Sequence, residues 1–141
     1  MIKKLLLAII LLSPLSFADF NCEVKDHKRL NDDGSLTSPP NPWRIGDVFV
    51  VNRTSGEVSG NSAPMANMTV LSLGNDVNAW KGVSKNLLDR VLDPTFSSAG
   101  PLNGIGTELD VMWISLYTDG RDKPFIYYET TSVLTGTCKI F

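Results

Sequence analysis

The sequence predicts a mainly β protein: a single small barrel or sandwich of antiparallel strands with one short helix, its ends joined by a disulfide. Three observations support this fold class. Short segments of alternating apolar and polar residues recur between turn-forming residues. The two cysteines, Cys22 and Cys138, stand near opposite ends of the chain. A single segment carries apolar residues at helical spacing.

The first 18 residues have the three-part pattern of a secretory signal peptide. Two lysines precede the apolar run Leu5–Leu12, and small residues, Ser16 and Ala18, stand where a signal peptidase reads. A membrane-spanning helix needs about 20 apolar residues, more than this run supplies. We therefore expect cleavage after Ala18, a single β-rich domain over 19–141 without a transmembrane segment, and a periplasmic or secreted location in a bacterium.

The charge balance disfavours a nucleic-acid partner. The chain has 13 Lys and Arg residues against 15 Asp and Glu residues, for a net charge of −2. After removal of residues 1–18 the only basic cluster is Lys28-Arg29, which follows Asp26 closely. Proteins that bind nucleic acids need clustered positive charges to neutralise phosphates.

The cysteine pair predicts a neighbouring arrangement of the terminal strands. Two cysteines in a small exported domain most often form one disulfide, here Cys22–Cys138. That bond requires Cα atoms within about 7 Å, so the first and last strands should lie side by side. Closing so long a loop would stabilise the fold by about 4–5 kcal/mol in the chain-entropy model.

The strand prediction rests on alternation and on turn residues. In "FNCEVK", Phe20, Cys22 and Val24 share one face. "NDDGS" predicts a hairpin turn, because Asp33-Gly34 supplies a positive φ. Roughly six to eight strands are expected in all. The other strand segments are "IGDVFVVN", "MTVLSL", "ELDVMWISLY", "PFIYYE" and "TSVLTGTC".

The predicted helix covers residues 84–92. Ser84 can cap its start, and Pro94 prevents its continuation. Alternatively "NAWKGVSK" belongs to a strand and only "NLLDRVL" is helical. The Gly-, Pro- and Ser-rich stretch 95–107 then predicts a long loop, and such loops are often functional. The apolar stripe comprises Leu87, Leu88, Val91 and Leu92.

The inventory of reactive side chains favours a non-enzymatic role. His27 is the single histidine, and no Gly-x-Ser-x-Gly elbow or glycine-rich phosphate loop occurs. Glu108 and Asp110 would share a face of a strand, as a carboxylate-dependent hydrolase requires, although a polar strand start explains them as well. Neither a metal site nor a cofactor is predicted. A calcium loop at Asn31, Asp33 and Ser35 is less well supported than a hairpin turn.

Aromatic residues supply the candidate binding surface. Along "LDVMWISLY" the faces alternate, so that Trp113 and Tyr117 lie opposite Met112. Both faces are apolar, and the second is covered either by the helix or by a partner. Tyr and Trp on an outer face favour protein or sugar contacts. With the 95–107 loop at the rim, the candidate contacts are Trp113, Tyr117, Tyr127 and Tyr128.

Two resemblances follow from short segments. "FNC", "FVVNRTSGEVSG", "KPFIYY" and "GTC" resemble segments of small exported bacterial two-cysteine β proteins with no assigned activity. The chain is also similar to bacterial inhibitors of C-type lysozyme, which are small exported β-barrels with cysteines near both ends. The Ser-Gly-x-x-Tyr segment of those inhibitors would align from Ser55, but Ser59 stands at the tyrosine position.

The function predicted from the sequence is an exported, soluble, non-catalytic binding module of unknown specificity. Its partner would be a protein or a cell-envelope component. Two alternatives remain: a β-barrel that carries a small ligand, and a hydrolase that uses Glu108 and Asp110.

Overall fold

The computed structural model describes residues 18–60, 67–84, 110–129 and 131–141. These residues form nine strands and no helix, so the mainly β class is confirmed. The predicted helix over 84–92 falls almost wholly outside the described residues. Ser84, its predicted cap, ends a strand instead, as the alternative for "NAWKGVSK" predicts. The strands are β1 Phe20–Leu30, β2 Leu36–Thr37, β3 Val48–Val51, β4 Val58–Gly60, β5 Met68–Asn75, β6 Asn78–Ser84, β7 Val111–Ile114, β8 Asp122–Glu129 and β9 Ser132–Ile140.

All nine described strands belong to one antiparallel sheet. Its order is β4-β3-β1-β9-β8-β7-β6-β5, with β2 paired to β1. In the described residues the sheet curls into an open half-barrel, so of the predicted barrel or sandwich the barrel-like shape is confirmed.

The two edges of the sheet nevertheless meet in the turn before β4. The Met68 amide donates to the Gly56 carbonyl at 2.8 Å. Arg53 donates from Nε to the Leu73 carbonyl at 3.0 Å and from Nη2 to the Gly74 carbonyl at 2.9 Å. The Arg53 side chain thus takes the place of a neighbouring strand along β5, where unpaired backbone groups would invite association.

The terminal strands are neighbours, as the cysteines predict. β1 pairs with β9 in a register that sets Cys22 directly opposite Cys138. The two residues form a disulfide with a Cα–Cα distance of 3.9 Å, and both are fully buried. The predicted Cys22–Cys138 bond is therefore confirmed.

The concave side of the sheet is filled with large apolar side chains. Phe20 packs edge-to-face against Trp80 at a centroid distance of 6.0 Å, and Phe49 against Phe125 at 5.4 Å. The Trp80 indole also donates to the Arg53 carbonyl at 2.8 Å, so its polar atom is satisfied. The fully buried side chains include Trp80, Tyr127, Phe20, Met68, Met112, Ile114, Leu134, Val24 and Val51.

Candidate functional site

Strand β7 alternates between the core and the solvent as predicted. Met112 and Ile114 are fully buried, whereas Trp113 keeps 39% of its surface exposed. A pleated strand directs successive side chains to opposite faces, so Trp113 lies on the convex side of the half-barrel. The indole is therefore available to contact a partner, because the described core lies on the opposite side of the sheet.

The register of the sheet brings a lysine and further apolar residues beside Trp113. Lys81 on β6 and Ile126 on β8 are its direct partners on either side. The Lys81 ammonium lies 4.4 Å from the centroid of the Trp113 ring, within cation–π range. Ile126 is 46% exposed and Tyr128, two positions further along β8, is 37% exposed. We call Lys81, Trp113, Ile126 and Tyr128 the outer aromatic face.

The four predicted contact residues lie in three different environments. Trp113 and Tyr128 belong to the outer aromatic face, and Tyr117 is half exposed in the turn after β7. Tyr127 points into the core, with 1% of its surface exposed. A surface for a partner can therefore include three of the four residues but not Tyr127.

Tyr127 instead belongs to a buried polar pair. Its hydroxyl donates to Asp110 Oδ2 at 2.9 Å. Burial, and then the charge of Asp110, raise the pKa of the Tyr127 phenol far above its ordinary value. Tyr127 is consequently a neutral hydrogen-bond donor at all physiological pH values.

A buried arginine forms the centre of a second polar region. Arg44 is 3% exposed and lies in the turn before β3. Its Nε is 3.1 Å from Asp47 Oδ2, and its Nη1 is 3.3 Å from Glu129 Oε2. The guanidinium carbon also lies 4.9 Å from the centroid of the Trp43 ring. Two carboxylates and an aromatic ring thus stabilise a cation that would otherwise be costly to bury.

His27, the single histidine, lies beside this arginine. It is 5% exposed, its Nε2 is 3.5 Å from Ser132 Oγ, and its ring meets Trp43 edge-on at 6.5 Å. Burial lowers the pKa of His27, the positive charge of Arg44 lowers it further, and Asp26 opposes both effects. The imidazole is therefore held in its neutral form.

Neither Arg44 nor His27 was predicted as a site residue, and for His27 the reason is a β-bulge. Strict alternation from Val24 would direct Asp26 inward and His27 to solvent. The β1–β9 register shifts between Val24 and Asp26, so an extra residue reverses the alternation and turns His27 inward. Alternation in "FNCEVKDH" carries no signal of that shift.

The residues considered for catalysis and for calcium are not brought into a site. Asp110 is buried and engaged with Tyr127, while Glu108 lies outside the described residues. In the β1–β2 turn, Ser35 Oγ donates to Asp33 Oδ1 at 2.6 Å and accepts from Asn31 Nδ2 at 2.9 Å. The hydrogen bonds that Ser35 donates to Asp33, from its hydroxyl and from its backbone amide, lower the pKa of Asp33. Within the described ranges no three potential metal-ligating residues cluster.

The small-ligand alternative predicts a cavity lined by strand residues. Where the structure describes the interior, the large core side chains occupy it. An open depression of about 560 Å³ lies elsewhere, beneath the β1–β2 hairpin. It is lined by Arg29, Leu30, Asn31, Asp32, Asp33, Thr37, Ser38, Pro39 and Pro40.

Comparison with known proteins does not extend this description. No family model, curated protein or solved structure matches the chain. No helix long and apolar enough to cross a membrane occurs in the part of the chain that the structure describes. The segment aligned with the lysozyme-inhibitor motif, 55–59, runs from the β3–β4 turn into β4, where Ser59 is exposed. The fold and the exposed aromatic residues together describe a small disulfide-linked β half-barrel with an apolar patch on part of its convex surface.

Proposed function

We propose that the protein is an exported, non-catalytic binding module that contacts a protein partner through the outer aromatic face. The observation that carries the proposal is the direct register of Lys81, Trp113 and Ile126 on three adjacent strands, all on the convex side. Exposed Trp and Tyr residues concentrated in one patch are typical of protein contact surfaces. The disulfide supports export, because such bonds persist in oxidising compartments.

The shape of the surface favours a protein over a small molecule. Small ligands bind in concave pockets that enclose most of their surface. The outer aromatic face is convex, so only a partner with its own complementary surface can cover it. A protein can enclose the exposed part of Trp113, surround it with polar groups and exclude water from the contact.

Lys81 adds a charge preference to this apolar surface. Among the described residues, no carboxylate lies within ion-pair distance of its ammonium group. A partner that places an Asp or Glu side chain beside Trp113 would gain an ion pair without breaking an existing one. We therefore propose that the contacting segment of the partner is apolar and acidic.

The test compares two exposed tryptophans. Wild type, Trp113→Ala and Trp43→Ala are immobilised in equal amounts and exposed to envelope and medium fractions of the host organism. Retained proteins are quantified by mass spectrometry, and the affinity of each purified candidate is then measured by calorimetry. Trp113→Ala should weaken binding by about 30-fold or more, as expected when a central aromatic anchor is lost.

Trp43→Ala is the matched control, because it removes the same side chain from an exposed position outside the outer aromatic face. Its affinity should stay within about threefold of wild type. All three proteins must give the same circular dichroism spectrum. A partner that binds Trp113→Ala as tightly as wild type would exclude the outer aromatic face as the site. Retention of a lipid or glycan in place of a protein would overturn the partner class.

A further inference from the structure

We propose that residues 42–47 form a pH-sensitive strap. The strap lies closed over the region of the half-barrel where His27 is buried at neutral pH, and it is released when His27 becomes protonated. The strap comprises Pro42, the turn 43–46 that carries Trp43 and Arg44, and Asp47, which leads into β3. This inference concerns a region distinct from the outer aromatic face and does not depend on the proposed function.

Two kinds of contact hold the strap closed. Backbone bonds join it to β1 next to the bulge: the Gly46 amide donates to the Val24 carbonyl, and the Val24 amide to the Asp47 carbonyl, both at 2.9 Å. The side chain of Arg44 adds the ion pair with Glu129 on β8 at 3.3 Å. The second contact depends on a balance of buried charges.

Protonation of His27 would disturb that balance. The charged groups around the imidazole are Asp26 and Lys28 on β1, Arg44 and Asp47 in the strap, and Glu129 on β8. Both strap-side carboxylates already pair with Arg44, and Asp26 lies 3.5 Å from the Lys28 ammonium. An imidazolium would therefore be a second cation beside Arg44 without a carboxylate of its own.

Hydrogen bonding leads to the same conclusion. Within the described residues, His27 Nδ1 is buried and has no hydrogen-bond partner, while Nε2 faces the Ser132 hydroxyl. The neutral ring tolerates this because one nitrogen need not donate, but an imidazolium carries N–H groups on both nitrogens. A buried donor without an acceptor costs free energy, and outward movement of the strap would admit water to satisfy it.

The direction of the pH effect follows from linkage. Because the closed strap lowers the pKa of His27, the released form binds the proton more tightly. The closed form is therefore favoured fully above about pH 6.5, the ordinary histidine value, and loses stability as the pH falls below it towards the lowered native pKa. No other histidine occurs in the sequence, so His27 is the only imidazole that can titrate in this pH range.

Amide hydrogen exchange tests the strap directly. Protection factors of the Gly46 and Val24 amides are measured from pH 7.5 to pH 5.5 and corrected for intrinsic exchange. We expect them to fall several-fold across this range, because the released form binds the proton more tightly than the closed form. The Ser115 amide, which is bonded to the Pro124 carbonyl at 2.9 Å on the far side of the sheet, is the internal control and should not change.

His27→Gln should abolish the pH dependence, because glutamine does not titrate. A wild-type Gly46 amide whose protection is independent of pH would overturn the proposal. An equal fall in His27→Gln would also overturn it, by assigning the effect to carboxylates. If His27→Gln does not fold, the wild-type imidazole titration followed by NMR decides instead: its midpoint must coincide with the loss of Gly46 protection, and titration without that loss refutes the strap.

Discussion

The convex side of the sheet has two halves of opposite character. Across β1 and β9 most of the residues that face outward are polar, among them Asn21, Glu23, Thr137 and Lys139. Glu23 also pairs with Lys25 at 2.6 Å. Across β6, β7 and β8 the corresponding positions carry the outer aromatic face. Both halves belong to one curled sheet, and each has its other side against the core.

This difference between the two halves indicates which residues the fold requires. A half-barrel needs apolar residues only on its concave side, and the polar half satisfies that requirement with a solvated outer surface. Trp113, Ile126 and Tyr128 expose apolar area on adjacent strands, whereas the exposed apolar residues of β1 and β9, Leu30 and Ile140, are the last residues of their strands. That excess is our reason for assigning the outer aromatic face to function and not to folding.

The largest expected effect lies in the polar half. Replacing both cysteines by serine, Cys22→Ser with Cys138→Ser, should lower the free energy of unfolding by about 4–5 kcal/mol, because the unfolded chain is no longer a closed loop. Urea unfolding with and without a reducing agent measures it. Wild type under reducing conditions should match the double variant. Equal stability of oxidised wild type and double variant would contradict the role assigned to the bond.

A matched pair of isoleucines tests the two sides of the sheet. Ile114 on β7 is fully buried, and Ile126 on β8 is 46% exposed. Ile114→Ala should cost about 2–5 kcal/mol, through lost burial and a residual cavity. Ile126→Ala should cost less than about 1 kcal/mol, because much of the side chain is already in water. Similar losses for both would mean that the outer aromatic face is structural.

The smallest effect on the free energy of unfolding is expected when Trp113 is replaced by a residue typical of the polar half. Trp113→Thr places a strand-compatible residue at the centre of the outer aromatic face. Its unfolding free energy should change by about 1 kcal/mol or less, mainly through loss of the Lys81 cation–π contact. Thermal unfolding measures the change, with Thr137→Ala on the polar half as the control. A loss of several kcal/mol would assign Trp113 to the fold.

Local alternation in the sequence was sufficient to predict much of this architecture. The cysteine positions predicted that β1 and β9 are neighbours, and the alternation in "VMWI" predicted that Trp113 and Met112 lie on opposite sides of β7. Alternation works there because each strand is regular and one side faces the core. It also separated Tyr127 from Tyr128, although it did not say which of them faces inward.

The features that were not predicted arise from irregularity and from long-range contacts. The bulge after Val24 adds one residue, and nothing in the local composition marks it. Arg44 and Glu129 are 85 positions apart in the chain, so the local sequence around either residue does not predict their contact. How far the sheet closes depends on contacts between its edges, such as the bond from the Met68 amide to the Gly56 carbonyl, and local sequence patterns do not determine those contacts.

The disulfide between the terminal strands has a mechanical consequence. Asp19 and Phe141 lie side by side, since the Phe141 amide donates to the Asp19 carbonyl at 3.2 Å. A force that pulls these residues apart would first open the Phe20–Ile140 and Asn21–Lys139 pairs and then reach the covalent bond. The chain between the cysteines, which are separated by 116 positions, would carry no load. Under tension the molecule would therefore extend by only a few residues at its ends, while the sheet that bears the outer aromatic face and the strap keeps its shape.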